Sequence, residues 1–156
     1  MLTKTSTLWV LFVFTILNTL AFILVSNGWD LTLLDGISSP ADARGVLSEY
    51  SSLQKTVHLW TTSTLDVMYP LMYGGLFAGV ALRFFDKFGL LLALPALLSV
   101  PVDLFEGLIQ VLALTDTVDW LDMKAFVTPL KTDLFLAGLT IAVAGWVKWL
   151  FLKLKR

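Results

Sequence analysis

Apolar residues run almost unbroken from Leu8 to Val25, and comparable runs return three more times along the chain. The first run carries no charge. Trp9 and Trp29 bracket it about 20 residues apart, about 30 Å at the helical rise and one hydrocarbon thickness. Aromatics at both rims of such a run act as interfacial anchors. A membrane span over about residues 8–26 is expected rather than a cleaved leader, because the run is long and no small-x-small site follows it. Asn18 and Thr15 are polar positions deep within it. A lone Asn at such a depth ordinarily makes a helix–helix hydrogen bond.

The stretch Ser26–Thr61 breaks the pattern. Gly28, Gly36 and Ser39-Pro40 punctuate its first part as loop. Ser39 can then cap a helix that has Pro40 at its first position and Asp42 in its first turn. Val46, Leu47, Tyr50, Leu53 and Val57 recur at roughly helical spacing. The spacing predicts an amphipathic helix over Pro40–His58, lying on the membrane surface or leading into the next span. Asp42 and Glu49 nearly balance Arg44 and Lys55, which argues against strong attraction to anionic lipid.

A second span is expected over about 62–85, with Pro70 predicted to kink it. Gly74, Gly75 and Gly79 allow a neighbouring backbone to come close. The third span, about 88–114, is interrupted by Pro95 and Pro101. An acidic connector, Thr115–Lys124, leads to the fourth span, about 125–150, which ends in Trp146, Lys148, Trp149 and the basic residues Lys153, Lys155 and Arg156. The expected fold is all-α: a polytopic membrane protein whose single domain, 1–156, is a four-helix transmembrane bundle plus an amphipathic extracytoplasmic helical segment at about 40–58.

Composition agrees with that plan. Hydrophobic residues make up 57% of the 156, and the mean hydropathy is +0.82, beyond an ordinary soluble domain. A net charge of −1 gives no basic field for nucleic acid. Without cysteine there is no thiolate ligand, thiol nucleophile or disulfide. The single His58 excludes a multi-histidine metal site and is expected to be exposed or interfacial. No metal and no cofactor are expected. Lys4, Arg83, Lys87, Lys148, Lys153, Lys155 and Arg156 fall on one side of the four spans, so both termini are expected in the cytoplasm.

Within the spans a polar pattern stands out. Asp103, Glu106 and Gln110 share one helical side in the middle of an apolar run, and Asp66, Tyr69 and Tyr73 repeat the same spacing in the second span. A charge near the bilayer centre costs about 2.5–3.5 kcal/mol on insertion scales, so such residues usually face a bundle interior or a wet cavity. Counted from the outer face, these residues, with Asn18, Lys131 and Asp133, all lie at roughly 6–17 Å. One polar cavity in the outer half of the bundle is therefore expected. A Lys131 that faced inward would pair with Glu106 or Asp103, and leftover acids would take up protons or hold a cation.

Three functional readings follow, and all stay open at this point. The cavity binds or moves a small polar, cationic or lipid-like ligand. The cluster is a structural hydrogen-bond network of an accessory or scaffold subunit. Or the chain is an intramembrane enzyme on a lipid-like substrate, with Asp103 and Glu106 as acid and base and Tyr69 or Tyr73 polarising an oxygen. Expected partners are the bilayer, a lipid or small-molecule ligand, and a second copy or a membrane subunit; no nucleic acid is expected.

The motifs D-V-M-Y-P (Asp66–Pro70) and D-L-F-E-G (Asp103–Gly107), followed by Pro129 and Lys131, resemble a loose group of small four-span proteins. Their pattern is D-x-x-Y-P, D-x-x-E-N and a late lysine; Gly107 stands here in place of the Asn. The resemblance implies that Asp66, Tyr69, Asp103, Glu106 and Lys131 belong to one site, and it implies no activity. In general plan the chain is also similar to emopamil-binding-type bundles, without the histidine that isomerases of that group need.

Overall fold

The computed structural model describes residues 2–155; Met1 and Arg156 lie outside it, the latter with its place in the basic tail. Five α-helices follow one another: α1 (Thr5–Gly28), α2 (Pro40–Glu49), α3 (Ser52–Phe84), α4 (Gly89–Leu114) and α5 (Lys124–Leu154). Single 3-10 turns lie at Leu34–Gly36, Asp86–Phe88 and Leu121–Met123. Four helices, all but α2, are long and apolar enough to cross a membrane.

The expected single helix Pro40–His58 is two helices. α2 starts as expected, with Ser39 Oγ accepting from the Asp42 amide at 3.3 Å. It stops at Tyr50, and Ser51 opens α3 with a reciprocal capping box to Gln54. The residues from Ser52 to Thr61 therefore extend the second long helix. Pro95 and Pro101 do not interrupt α4, and Pro70 and Pro129 likewise sit inside continuous helices. Three helix ends turn on an aspartate: Asp30, Asp86 and Asp116 take φ of 48°, 47° and 51° just after α1, α3 and α4. Asp is one of the few residues that visits this left-handed region at modest cost.

α3 is the central helix and packs against α1, α4 and α5; α4 also packs on α5. Small residues allow the closest approaches. A Cβ on Gly74 would meet Val100 Cγ2 at 2.5 Å, and one on Gly138 would meet Ala96 at 3.2 Å. An apolar core fills the bundle around Tyr73, Phe77, Val80, Ala96 and Ala142. A second core, Leu34, Ala43, Ile109, Leu121 and Val127, joins α2 and its preceding loop to the ends of α4 and α5. α2 is thus a cap packed on the bundle, where a surface-lying helix was one expectation. Exposed ion pairs fasten its rim: Arg44 to Asp119 (2.8 Å) and Asp122 (3.0 Å), and Lys55 to Asp116 (3.7 Å).

The exterior of the long helices is apolar. α1 buries Leu8 and Asn18, while Val10, Val13, Phe14, Leu17, Leu20 and Leu24 are exposed. The charged residues Asp66, Asp103, Glu106 and Lys124 are buried instead.

Candidate functional site

The site is built on Glu106, in the middle of α4 and wholly buried. Its neighbours come from α5. Lys124 Nζ and Thr128 Oγ1 both donate to Glu106 Oε1. Lys131 Nζ contacts the other oxygen, Oε2. Lys124, Thr128 and Lys131 lie four and seven residues along one helix, so they share the face turned to α4. Two ammonium groups converging on one carboxylate let Glu106 and Lys124 be wholly buried, since a buried ion that kept no partner would carry a penalty of several kcal/mol.

Lys131 then links outward. Its Nζ lies 3.3 Å from Asp103 Oδ1 and 3.7 Å from Asp35 Oδ1. Asp103 accepts from the Tyr73 hydroxyl on α3 at 2.8 Å. Asp35 comes from the 3-10 turn before α2 and reaches down into the bundle, where Gln110 Nε2 donates to it at 3.0 Å. Burial alone would raise the Asp35 carboxyl; Lys131 and the Gln110 amide outweigh that and hold it below its ordinary value. Above Gln110 the polar chain continues to the cap. His58 is fully buried, with Nδ1 3.2 Å from the Tyr50 hydroxyl. The Tyr50 hydroxyl also donates to the Thr32 carbonyl. Burial, with Asp35 nearby, pushes the Tyr50 hydroxyl up to about 12.

Beside this network is a cavity of about 370 Å³. Asp35, Asp66, Asp103 and Lys131 line it together with Phe22, Ile23, Leu33 and Phe135. Tyr69 and Tyr73 line it too, ring centroids 5.3 Å apart and edge to face, and Thr19 donates to the Tyr69 hydroxyl at 3.3 Å. Asp66 makes no hydrogen bond or ion pair among the described residues and also lines a second, smaller hollow against Gly107. A Cβ at Gly107 would come within 3.3 Å of its Oδ2. α1 and α5 stand on either side of the cavity and touch farther along through Phe12 and Trp146 (5.7 Å).

The expected site residues therefore separate into three groups. Asp66, Tyr69, Tyr73, Asp103 and Lys131 line the cavity. Glu106 and Gln110 belong to the buried network behind it. Asn18 does not line it: its Nδ2 donates to the Leu65 carbonyl at 3.1 Å and ties α1 to α3. Three expectations are corrected. Asp133 is exposed on α5, two residues from Lys131 and so on nearly the opposite side. His58 is enclosed, because α3 begins six residues earlier and carries it under the cap. Lys124 sits inside the bundle instead of in the connector. Asp35 and Thr19 were passed over as well. Asp35 lay in a segment read as loop, where no periodicity tells which way a side chain points; Thr19 had a visible signal, one residue after Asn18 in the same span.

Of the expected acid–base pair, Asp103 lines the cavity and Glu106 does not. Glu106 is sealed from the cavity and its oxygens are taken by two lysines and a threonine. Among the described residues no group of three or more His, Asp or Glu has the geometry of a metal site.

The fold and site define a helical bundle with four candidate membrane-crossing helices and a buried charge cluster beside a mostly apolar cavity. No family model, no curated protein and no solved structure matches the chain.

Proposed function

We propose that this is an integral membrane protein that binds a small cationic amphiphile in the cavity between α1 and α5. The apolar exterior and charged interior invert the soluble pattern, which favours lipid as the surrounding solvent. The basic residues at the end away from α2 favour that end, with both termini, on the cytoplasmic side. The cavity then opens toward the bilayer between α1 and α5, on the extracytoplasmic half.

The single observation that carries the ligand class is Asp66, a buried carboxyl lining the cavity with no partner. The cluster has four carboxyls, Asp35, Asp66, Asp103 and Glu106, against two ammoniums, Lys124 and Lys131. A ligand ammonium beside Asp66 offsets that excess, and the aromatic ring of Tyr69 lines the same cavity. The phenylalanines and Leu33 suit an attached hydrocarbon chain.

The test compares dodecyltrimethylammonium with dodecanol, equal in chain length and different in charge, against the protein in phosphatidylcholine nanodiscs. The expected result is a larger rise in Tm for the ammonium, lost in Asp66→Asn. Equal shifts for the two probes, or an ammonium shift that survives Asp66→Asn, would overturn the proposal.

A structural role is favoured for one part of the network. Glu106, Lys124 and Thr128 are buried behind the cavity and join α4 to α5. Their place suits holding Asp103 and Lys131 in position more than meeting a ligand.

A further inference from the structure

A second cavity of about 670 Å³ lies at the opposite end of the bundle, again between α1 and α5. Trp9 of α1 and Val147 and Trp149 of α5 line it, Phe12 and Trp146 meet edge to face within its lining, and Arg83 of α3 also lines it. Nothing in the proposal above uses this groove. Its walls are nearly all hydrocarbon and aromatic ring, so in a bilayer it takes up an apolar chain.

The charge around its mouth decides what kind of molecule brings that chain. Lys4, Arg83, Lys87, Lys148, Lys153 and Lys155 collect at this end, with Asp86 as the acid among them. Lys148 lies 3.8 Å from Asp86 and donates to the Phe84 carbonyl at 2.6 Å. Arg83 is held in place from one side: one terminal nitrogen, Nη1, donates to the Thr3 carbonyl at 3.1 Å and to Thr5 Oγ1 at 2.8 Å. Its Nε and Nη2 donors make no bond among the described residues. A guanidinium fixed by one nitrogen, with its other donors at the end of an apolar groove, suits a phosphate diester. The cytoplasmic leaflet, where the basic end is proposed to lie, is the one that carries anionic lipid.

We propose that this groove holds one anionic phospholipid, its phosphate on Arg83 and an acyl chain against Trp9, Val147 and Trp149. The site shares with the cavity proposal only the membrane placement, and neither ligand requires the other.

The experiment is native mass spectrometry of the full chain in a neutral maltoside detergent. Palmitoyl-oleoyl phosphatidylglycerol is offered against the matching phosphatidylcholine. The wild type is expected to retain one phosphatidylglycerol at several-fold higher occupancy. Arg83→Gln brings the two lipids to parity, and Val147→Trp, which fills the groove, lowers both. Asp66→Asn leaves the preference unchanged, which separates this site from the cavity. Parity in the wild type, a preference that survives Arg83→Gln, a phosphatidylglycerol occupancy that survives Val147→Trp, or a dimer that excludes both lipids because a second copy fills the groove, would each overturn the proposal. Wild type and Val147→Trp decide the matter even where Arg83→Gln fails to fold.

Discussion

Glu106 and Lys124 are wholly buried against each other, 18 residues apart in the chain and on different helices. The turn that joins α4 to α5 brings them together, and Lys131 closes on the same carboxylate one turn beyond Thr128. The pair is thus both a lock between two helices and the floor on which the cavity's charged residues rest.

Removing Lys124 leaves the buried Glu106 with one ammonium, that of Lys131, in place of two. Lys124→Met is expected to destabilise the protein by about 3–5 kcal/mol, the usual cost of breaking a buried pair from one side. Thermal unfolding followed by tryptophan fluorescence checks this. The double variant Lys124→Met with Glu106→Gln should recover part of the loss, because the carboxylate's charge goes with the ammonium. A single variant that melts with the wild type would show that the pair does not hold the helices.

The helix contact itself gives a second prediction. At Gly74 an added Cβ meets Val100 Cγ2 at 2.5 Å and the Ala96 carbonyl at 3.1 Å. Gly74→Ala should cost about 1–3 kcal/mol through overpacking. Val100→Ala in the same chain should return much of that, since it removes the nearer clash. If Gly74→Ala alone leaves Tm unchanged, α3 and α4 are not packed as closely as described.

How far these features can be read without coordinates differs from place to place. The long helices follow from their apolar runs, because period and length leave little choice once charge is absent. Asp103 and Glu106 are conspicuous for the same reason: a carboxylate inside such a run needs a partner. The break between α2 and α3 was also visible in principle, as Ser51 three residues before Gln54 is a capping-box pattern. It is hidden by Leu53 and Val57, which continue the helical spacing across it. Lys124 and Asp35 could not be found this way. Lys124 closes an acidic connector, and Asp35 sits among turn residues. Both face inward only because the second core around Leu34, Ile109 and Leu121 folds the loops onto the bundle.

The rim of the cap should respond to acid and to salt. The hydrogen bond from Arg44, then that from the Leu121 amide, holds Asp119 below its ordinary 3.8. A depressed carboxyl contributes its stability fully above the unfolded value and loses it as pH falls through the lower folded value. Amide exchange in α2, measured relative to the free-chain rate at each pH, should therefore stay slow above about pH 4 and speed up below it. It should also speed up as added salt screens the exposed pairs. Arg44→Gln should remove both dependences while the exchange of α4 is unchanged. Acid-independent exchange of α2 in the wild type would count against the clamp.

Asp35 separates binding from folding, because it is the acid of the cavity that no long helix carries. Asp35→Asn keeps an oxygen that can accept from Gln110 Nε2, now 3.0 Å away, and removes one negative charge beside Lys131. Glu106 and Asp103 still hold Lys131, so α4 and α5 keep their contact. The variant should unfold within a few degrees of the wild type. Its dodecyltrimethylammonium shift should be smaller than the wild type's and larger than that of Asp66→Asn, because Asp66 lines the cavity with no lysine paired to it. Both quantities come from the same melting curves in phosphatidylcholine nanodiscs. A large drop in the stability of Asp35→Asn with its ammonium shift intact would make Asp35 part of the structural network and take it out of the binding site.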